Sequence, residues 1–380
     1  MLSPREALIT LNLIPGLGSV RIQSLLECFG SAELVLAAPA AMLAQVPRIG
    51  SALAAAIADW RNCTDAGAEL RAAEALGARL VVLTDDDYPA ALRCMSDPPM
   101  VLTLRGELTP RDGERGVALV GTRQATPYGL VQARRFGREL ADAGCTIISG
   151  LARGIDYAAH SGALDAVGRT IAVLGFGLGQ LGRSENAALA EVIAAGHGAL
   201  VSEFPLYRRP DRGTFPQRNR LVAAWARATM VVEAPLHSGA MLTAGLAAER
   251  YGRPVFALPG AAESRCSAGC HALIRDGAVL CSAPQELLGD LGWSGVPQQG
   301  NLFAEEGSAA RPFAGVPQLA PLQPGSQEAL LLRALEAGND TVDLLCTALG
   351  MGASVLTPLL LKLQIQHRVQ PLPGARFRAL

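Results

Sequence analysis

Residues 117–130 read VALVGTRQATPYGL. The stretch has the form of a strand running into a glycine turn and then a helix, the opening of a nucleotide-binding fold. A dinucleotide fingerprint would repeat glycine after Gly121, but Thr122 and Arg123 stand there. The missing glycines weaken a dinucleotide reading of the turn and raise the question of what it holds instead.

The same texture recurs downstream. Apolar runs at Val117–Val120, Cys145–Ile148, Thr170–Leu174, Ala199–Val201, Thr229–Val232 and Pro254–Leu258 are each too short for a helix, and helix-length amphipathic segments separate them. Alternating strands and helices predict an α/β fold, a doubly wound and mainly parallel sheet covered on both faces. Before it, "RLVVLTDDDYPAALRCMSDPPMVLTLRGEL" from Arg79 predicts two short strands around a proline-rich bend.

In such sheets ligands sit outside the carboxyl ends of the strands, so each loop that follows a strand is informative. The first carries Gly121, Thr122 and Arg123; the second, "SGLARGID", carries Gly150, Arg153 and Gly154. Small residues beside an arginine just before a helix start predict phosphate seats, with amides and helix dipole facing the anion and Arg123 and Arg153 clamping it from the side. "GFGLG" after the third strand reads as a turn. The fourth loop places Arg208, Arg209, Arg212, Arg218 and Arg220 against the single acid Asp211, interleaved with Phe204, Tyr207 and Phe215. Guanidinium groups beside aromatic faces suit a nucleic-acid strand with exposed bases, whereas a duplex buries them. The plainer alternative is that Phe204 and Phe215 plug the core.

At 380 residues the chain is long enough for two or three domains, and 33 basic against 34 acidic residues leave a net charge of −1. A polyanion must then be drawn by local clusters and not by the global field. All the basic residues except Lys362 are arginines, which fits phosphate recognition and equally a codon-biased genome. Cysteines without paired spacing, and no charged-then-apolar leader ahead of Leu11, predict a reducing cytoplasm. No window reaches the roughly 18 apolar residues of a membrane span.

The segment before the sheet has two Pro-x-hydrophobic-Gly turns, Pro15–Gly18 and Pro47–Gly50, each ahead of an amphipathic helix. They resemble a helix-hairpin-helix or SAM-like module, although a small helical bundle with glycine turns reads the same way. The predicted organisation is a helical module over 1–75, the sheet domain over 76–289, a flexible linker over 290–325 rich in Gly, Pro and Gln, and a winged-helix-like module over 326–380. Arg368, Arg376 and Arg378 on the wing suit contact with nucleic acid or protein, and equally a solvated edge.

Several motifs in one order then become specific. "ALVGTRQATPYG", "SGLARGIDYAAHSGAL", "SEFPL", "FPQRNRLVAAWARATMVVEAPLHSGAMLTAGLAAERYGRPVFALPG" and "GCHALIRDGA" resemble the DNA-processing protein A (DprA/Smf) family from about Asp87 to Leu288. The resemblance implies a Rossmann-like domain that binds single-stranded DNA as a homodimer, protects incoming DNA and loads the RecA recombinase during natural transformation in competence. It places DNA contacts on Gly121, Thr122 and Arg123, on the second loop with Gly150, Arg153 and Gly154, on Arg212, Phe215, Arg218, Asn219 and Arg220, and on Ser238 and Gly239. The chain departs from the family pattern at Leu181-Gly182-Arg183-Ser184, at Thr214 and at His271.

No cofactor, metal or covalent chemistry is expected. Cys266 and Cys270-His271 lack a second pair of ligands at zinc spacing, no P-loop motif is present, and His160, His237, Asp156 and Glu233 read as structural or capping groups. A phosphoribohydrolase-type nucleotide enzyme on a similar sheet is the alternative, although its Pro-Gly-Gly-x-Gly-Thr turn is missing. A duplex-binding scaffold is a third reading, and it leaves the arginine loop unexplained.

Overall fold

The computed structural model describes residues 2–293, 327–336, 341–365, 369–372 and 376–379. The chain divides into two units, 1–300 and 301–380. The first opens with helices α1 (Pro4–Leu13), α2 (Ser19–Phe29), α3 (Ala32–Ala37), α4 (Ala40–Leu43), α5 (Ser51–Ala58), α6 (Trp60–Cys63) and α7 (Ala66–Ala75). Both glycine turns end as uncapped helix starts at Gly18 and Gly50, and Arg21 ties them together by donating to the carbonyls of Gly16 and Arg48.

The sheet follows: β1 (Ala78–Val82), α8 (Ala90–Arg93), β2 (Val101–Gly106), α9 (Arg111–Glu114), β3 (Gly116–Val120), α10 (Pro127–Asp142), β4 (Thr146–Ser149), α11 (Ile155–Asp165), β5 (Arg169–Val173), α12 (Ala187–Val192), β6 (Gly198–Ser202), α13 (Thr214–Trp225), β7 (Ala228–Val231), α14 (Gly239–Gly245), β8 (Val255–Ala257), α15 (Ala268–Arg275), β9 (Val279–Leu280) and α16 (Pro284–Asp290). Among the described residues nine strands form one sheet in the order β1-β2-β6-β5-β4-β3-β7-β8-β9. The pairs from β6 through to β9 are parallel, and only β1/β2 and β2/β6 run antiparallel. The six expected strands are all present within a residue or two. The edge strand β9 was not foreseen, because two exposed residues carry no periodicity.

Strand β3 explains the doubly wound build. Val117 and Leu119 point into one core with Phe136, Leu140, Ile147 and Ile155 from the α10/α11 side, and Ala118 and Val120 into the other with Ile148, Leu221, Val222 and Trp225 from the α13 side. Side chains that alternate across a strand and are buried on both faces require helices on both. The order in which strands are added reverses at β3, which has β4 on one flank and β7 on the other, so the crevice at the carboxyl end of β3 is the topological switch point.

The N-terminal helices share a core with the sheet. Ile9, Leu11, Ile22 and Ile57 cluster with Leu80, Val82, Met100, Leu200 and Leu206. Two polar ties reinforce this: Arg5 donates to Leu80 O and pairs with Asp85, and the Glu69 carboxylate accepts the Leu206 amide at 2.7 Å. Burial pushes the Glu69 carboxyl up from its ordinary range.

His160 on α11 is fully buried, and its Nδ1 lies 2.6 Å from Thr170 Oγ1. Because that hydroxyl donates to Ile147 O, it accepts from Nδ1–H, which leaves Nε2 bare and unpartnered. Desolvation, aided by the nearby Arg218 charge, pushes the imidazole down to about 3. An unfolded chain takes up a proton near pH 6.5 that the native state refuses, so stability is lost as pH falls from about 6.5 towards 3, by about 1.4 kcal/mol per unit. Urea unfolding at pH 7 and pH 5 is expected to show a gap about 2 kcal/mol narrower in His160→Gln than in the native chain; equal gaps would contradict the assignment.

The second unit contains α17 (Gln327–Glu336), α18 (Val342–Leu349), α19 (Ala353–Ile365) and an antiparallel pair, β10 (Val369–Leu372) and β11 (Arg376–Ala379). Leu331, Leu345, Leu356, Leu360, Leu363 and Val369 form its core. Arg368, and the expected linker from residue 294 onward, lie outside the described residues.

Candidate nucleic-acid interface

A cleft of about 390 Å³ opens at the switch point. Four chain segments meet there: Gly121, Thr122, Arg123 and Gln124 after β3; Gly150, Ala152, Arg153 and Asp156 after β4; Phe215, Arg218 and Asn219 on α13; and Ser238 and Gly239 after β7. Most of the expected contact residues are thus brought together. Gly154, Arg212 and Arg220 do not line the cleft.

The first turn is fixed from several sides. Thr122 N–H donates to Glu233 O at 2.7 Å, Ile155 N–H donates to Thr122 O at 3.2 Å, and Gln124 N–H to Thr122 Oγ1 at 3.1 Å. The Glu233 carboxylate, 2% exposed, accepts from Thr126 N–H at 2.9 Å and from its hydroxyl at 2.6 Å. A carboxylate therefore already fills the positive N-terminus of α10. This corrects the expectation that the helix dipole seats a ligand phosphate after β3; the free positive group there is the Arg123 side chain. Its guanidinium stacks over the Phe215 ring at 4.6 Å, and together they form a ridge on the cleft.

The second loop is braced from below. Asp156 accepts from Gly150 N–H at 3.1 Å and Ala152 N–H at 3.4 Å. Arg218 is 5% exposed and donates to Gly150 O at 2.6 Å and to Val173 O. Desolvation pulls Arg218 down from the ordinary guanidinium range against the opposing effect of Asp156, and burial pushes Asp156 up against the opposing effect of Arg218. The glycines serve this packing: a Cβ on Gly150 would lie 2.0 Å from the Arg218 guanidinium, and one on Gly154, at φ +81, 2.4 Å from Thr122 O. Glycine there lets loops approach each other, and not only a ligand.

Two of the expected cations are thereby internal. Arg218 holds backbone carbonyls, and Arg220 pairs with Glu203 and with Asp97 behind the cleft, 11% exposed. The 204–220 window concealed this, because Glu203 stands just before it, Asp97 comes from another segment, and Arg218 is held by carbonyls at the ends of β4 and β5. Arg208 is paired with Asp211. Among the described residues Arg153, Arg209 and Arg212 have no ion pair, and all three are exposed. Phe204 is buried in the core, whereas Phe215 is only half-buried.

On the far wall, Asn219 Nδ2 donates to Gly239 O at 3.2 Å and couples α13 to the loop after β7. Ser238 Oγ is buried without a partner and lines the cleft, a hydroxyl ready to donate. Gln124 and Thr243 also line it and were not foreseen; neither residue type stands out in a sequence. His237 is exposed. No cluster that could hold a metal ion, and no helix long and apolar enough to cross a membrane, occurs among the described residues.

The family model for DNA recombination-mediator protein A matches residues 79–292. Protein Smf of Synechocystis is 38% identical over 282 residues, 73% of this chain and 70% of that protein. A putative DNA processing protein DprA of Mycobacterium tuberculosis is 36% identical over 356 residues, covering 89% and 85%. Among solved structures, DNA processing protein A of Streptococcus pneumoniae aligns with a TM-score of 0.65 and 30% identity over 76% of this chain and 98% of that one. The Helicobacter pylori protein, studied for its single-stranded DNA binding mode, aligns with a TM-score of 0.51 and 32% identity over 56% and 95%. The matched region spans more than half the chain and contains every loop of the cleft, so the chain belongs to the DNA recombination-mediator protein A family.

Proposed function

We propose that this protein is a recombination mediator that grips single-stranded DNA along the carboxyl edge of its sheet and hands it to a RecA-type recombinase during natural transformation. The observation that carries the reading is the meeting of three loops and α13 on one cleft, where Arg123, Arg153 and the Phe215 ring remain available. Guanidinium groups follow the phosphates, and a half-buried ring accepts an unstacked base, which a duplex does not offer. Ser238 and Gly239 complete the far wall, and the exposed Arg212 is a further cation of the fourth loop. The single-stranded DNA binding of the Helicobacter pylori relative supports the same assignment.

In this reading the protein works in the cytoplasm as a homodimer and carries out no covalent step. A phosphoribohydrolase-type reaction needs a free carboxylate, but Asp156 faces Arg218 and two amides, and Glu233 holds Thr126. Neither is placed as a general acid or base.

Titration of one preparation with single strand, duplex and AMP across a salt series tests this. With about four phosphates neutralised, log K for the single strand is expected to fall with log salt at a slope of about −3. Tight AMP binding with no strand affinity would replace the proposal with the nucleotide enzyme.

A further inference from the structure

A second cavity, about 570 Å³, lies across the ridge from the first. The two share Arg123, Gly150, Ala152, Arg153 and Phe215 as a common wall. The opposite wall is built from Gln180, Arg183, Ser184, Glu185 and Asn186, with Arg209 at one side and Leu151 and Phe176 as apolar lining. Arg183 stands in the stretch where this chain departs from the family pattern.

Its chemistry is distinct from that of the first cleft. Arg123, Arg153, Arg183 and Arg209 surround it against the single carboxylate of Glu185, and among the described residues none of the four has an ion pair. Leu151 holds a left-handed conformation, φ 56, which is costly for a branched residue. Asn186, 8% exposed, fixes it by donating from Nδ2 to Leu151 O at 2.9 Å. A strained loop pinned by a buried amide makes the wall between the cavities rigid. The volume falls in the range of ligand pockets, about 300–1,000 Å³.

We infer that this cavity is a second nucleotide subsite, which takes the residue of the strand next to the one in the switch-point cleft. The base lies against Phe176 and Leu151, its edge meets Gln180 or Ser184, and Arg183, on the wall away from the ridge, holds its outer phosphate. Arg123 and Phe215 then stand between consecutive nucleotides, and one guanidinium serves both. A continuous strand is favoured over a separate small ligand because the cavities share a wall and both open on the same ridge. The inference rests on the single-strand reading above.

The test uses thymidine 5′-monophosphate, the dinucleotide pTpT and a long oligothymidylate on the full chain, with the native protein, Arg183→Glu and the cavity-filling Ser184→Trp. The native protein is expected to bind pTpT at least about tenfold more tightly than the mononucleotide, within what one more stacked base contributes. Both variants are expected to lose that gain and keep the mononucleotide affinity, and Arg183→Glu to flatten the salt slope for pTpT by about 0.7. Equal binding of the two ligands by the native protein, or an unchanged gain in both variants, would overturn the subsite while the oligothymidylate still binds. Absence of oligothymidylate binding by the native protein would instead remove the single-strand reading and the subsite with it.

Discussion

Arg123→Ala is expected to weaken single-stranded DNA binding by about 10- to 100-fold with little dependence on sequence. A charge-assisted contact contributes about 1.5–3 kcal/mol, and this side chain also holds the Phe215 ring in place. Arg123 is the cation common to both cavities, so the loss is expected to exceed that from Arg212→Ala, whose side chain is exposed and lines neither. Combining Arg123→Ala with Arg153→Ala nearly abolishes binding. Fluorescence anisotropy on a labelled oligonucleotide reads all four proteins, and a double variant within threefold of native affinity would end the assignment. Because Arg123 has no ion pair among the described residues, its removal leaves the melting temperature near the native value, which separates grip from folding.

Arg218→Met has the opposite signature. The side chain lies beneath the second loop with Asp156 beside it and two backbone carbonyls on its guanidinium. Removing one of two buried charges that offset each other costs about 3–5 kcal/mol, because Asp156 keeps the Gly150 and Ala152 amides but has no cation to balance it. Unfolding in urea is expected to register a loss of that size, with Arg218→Met/Asp156→Asn recovering part of it. A loss below about 1 kcal/mol would mean that water enters the space and that the brace is weaker than its burial implies. Weaker DNA binding in this variant would follow from a displaced Gly150–Ala152 segment and not from a missing contact.

These two arginines mark where sequence reasoning succeeds and where it stops. Burial on both faces makes a parallel strand a continuous apolar run, so the six central strands and the loops at their carboxyl ends were legible without coordinates, whereas the strand order that sets β7 beside β3 was not. The place of Arg123 on the cleft was legible too, since it directly follows Gly-Thr at a strand end. Arg218 and Arg220 looked identical to their neighbours in the arginine loop, but they lie on a helix whose first turns dip beneath it. Asp156 is 62 residues away from Arg218 in the chain and Glu233 is 107 away from Thr126, and no local pattern encodes a partner that distant. The second cavity was hidden for the same reason: its walls come from four loops, and the 3-10 turn that carries Arg183 has no periodic signal.

The link between Glu69 and the Leu206 amide has an architectural consequence. A cut after residue 75 looks natural in the sequence, yet it passes through hydrophobic packing in which Leu80, Val82, Leu200 and Leu206 depend on the leading helices for cover. Leu206 begins the arginine-bearing segment, so the opening quarter of unit 1 acts as a buttress for the arginine-bearing rim. The sheet excised alone would carry an apolar scar on one side and an unmoored fourth loop on the other.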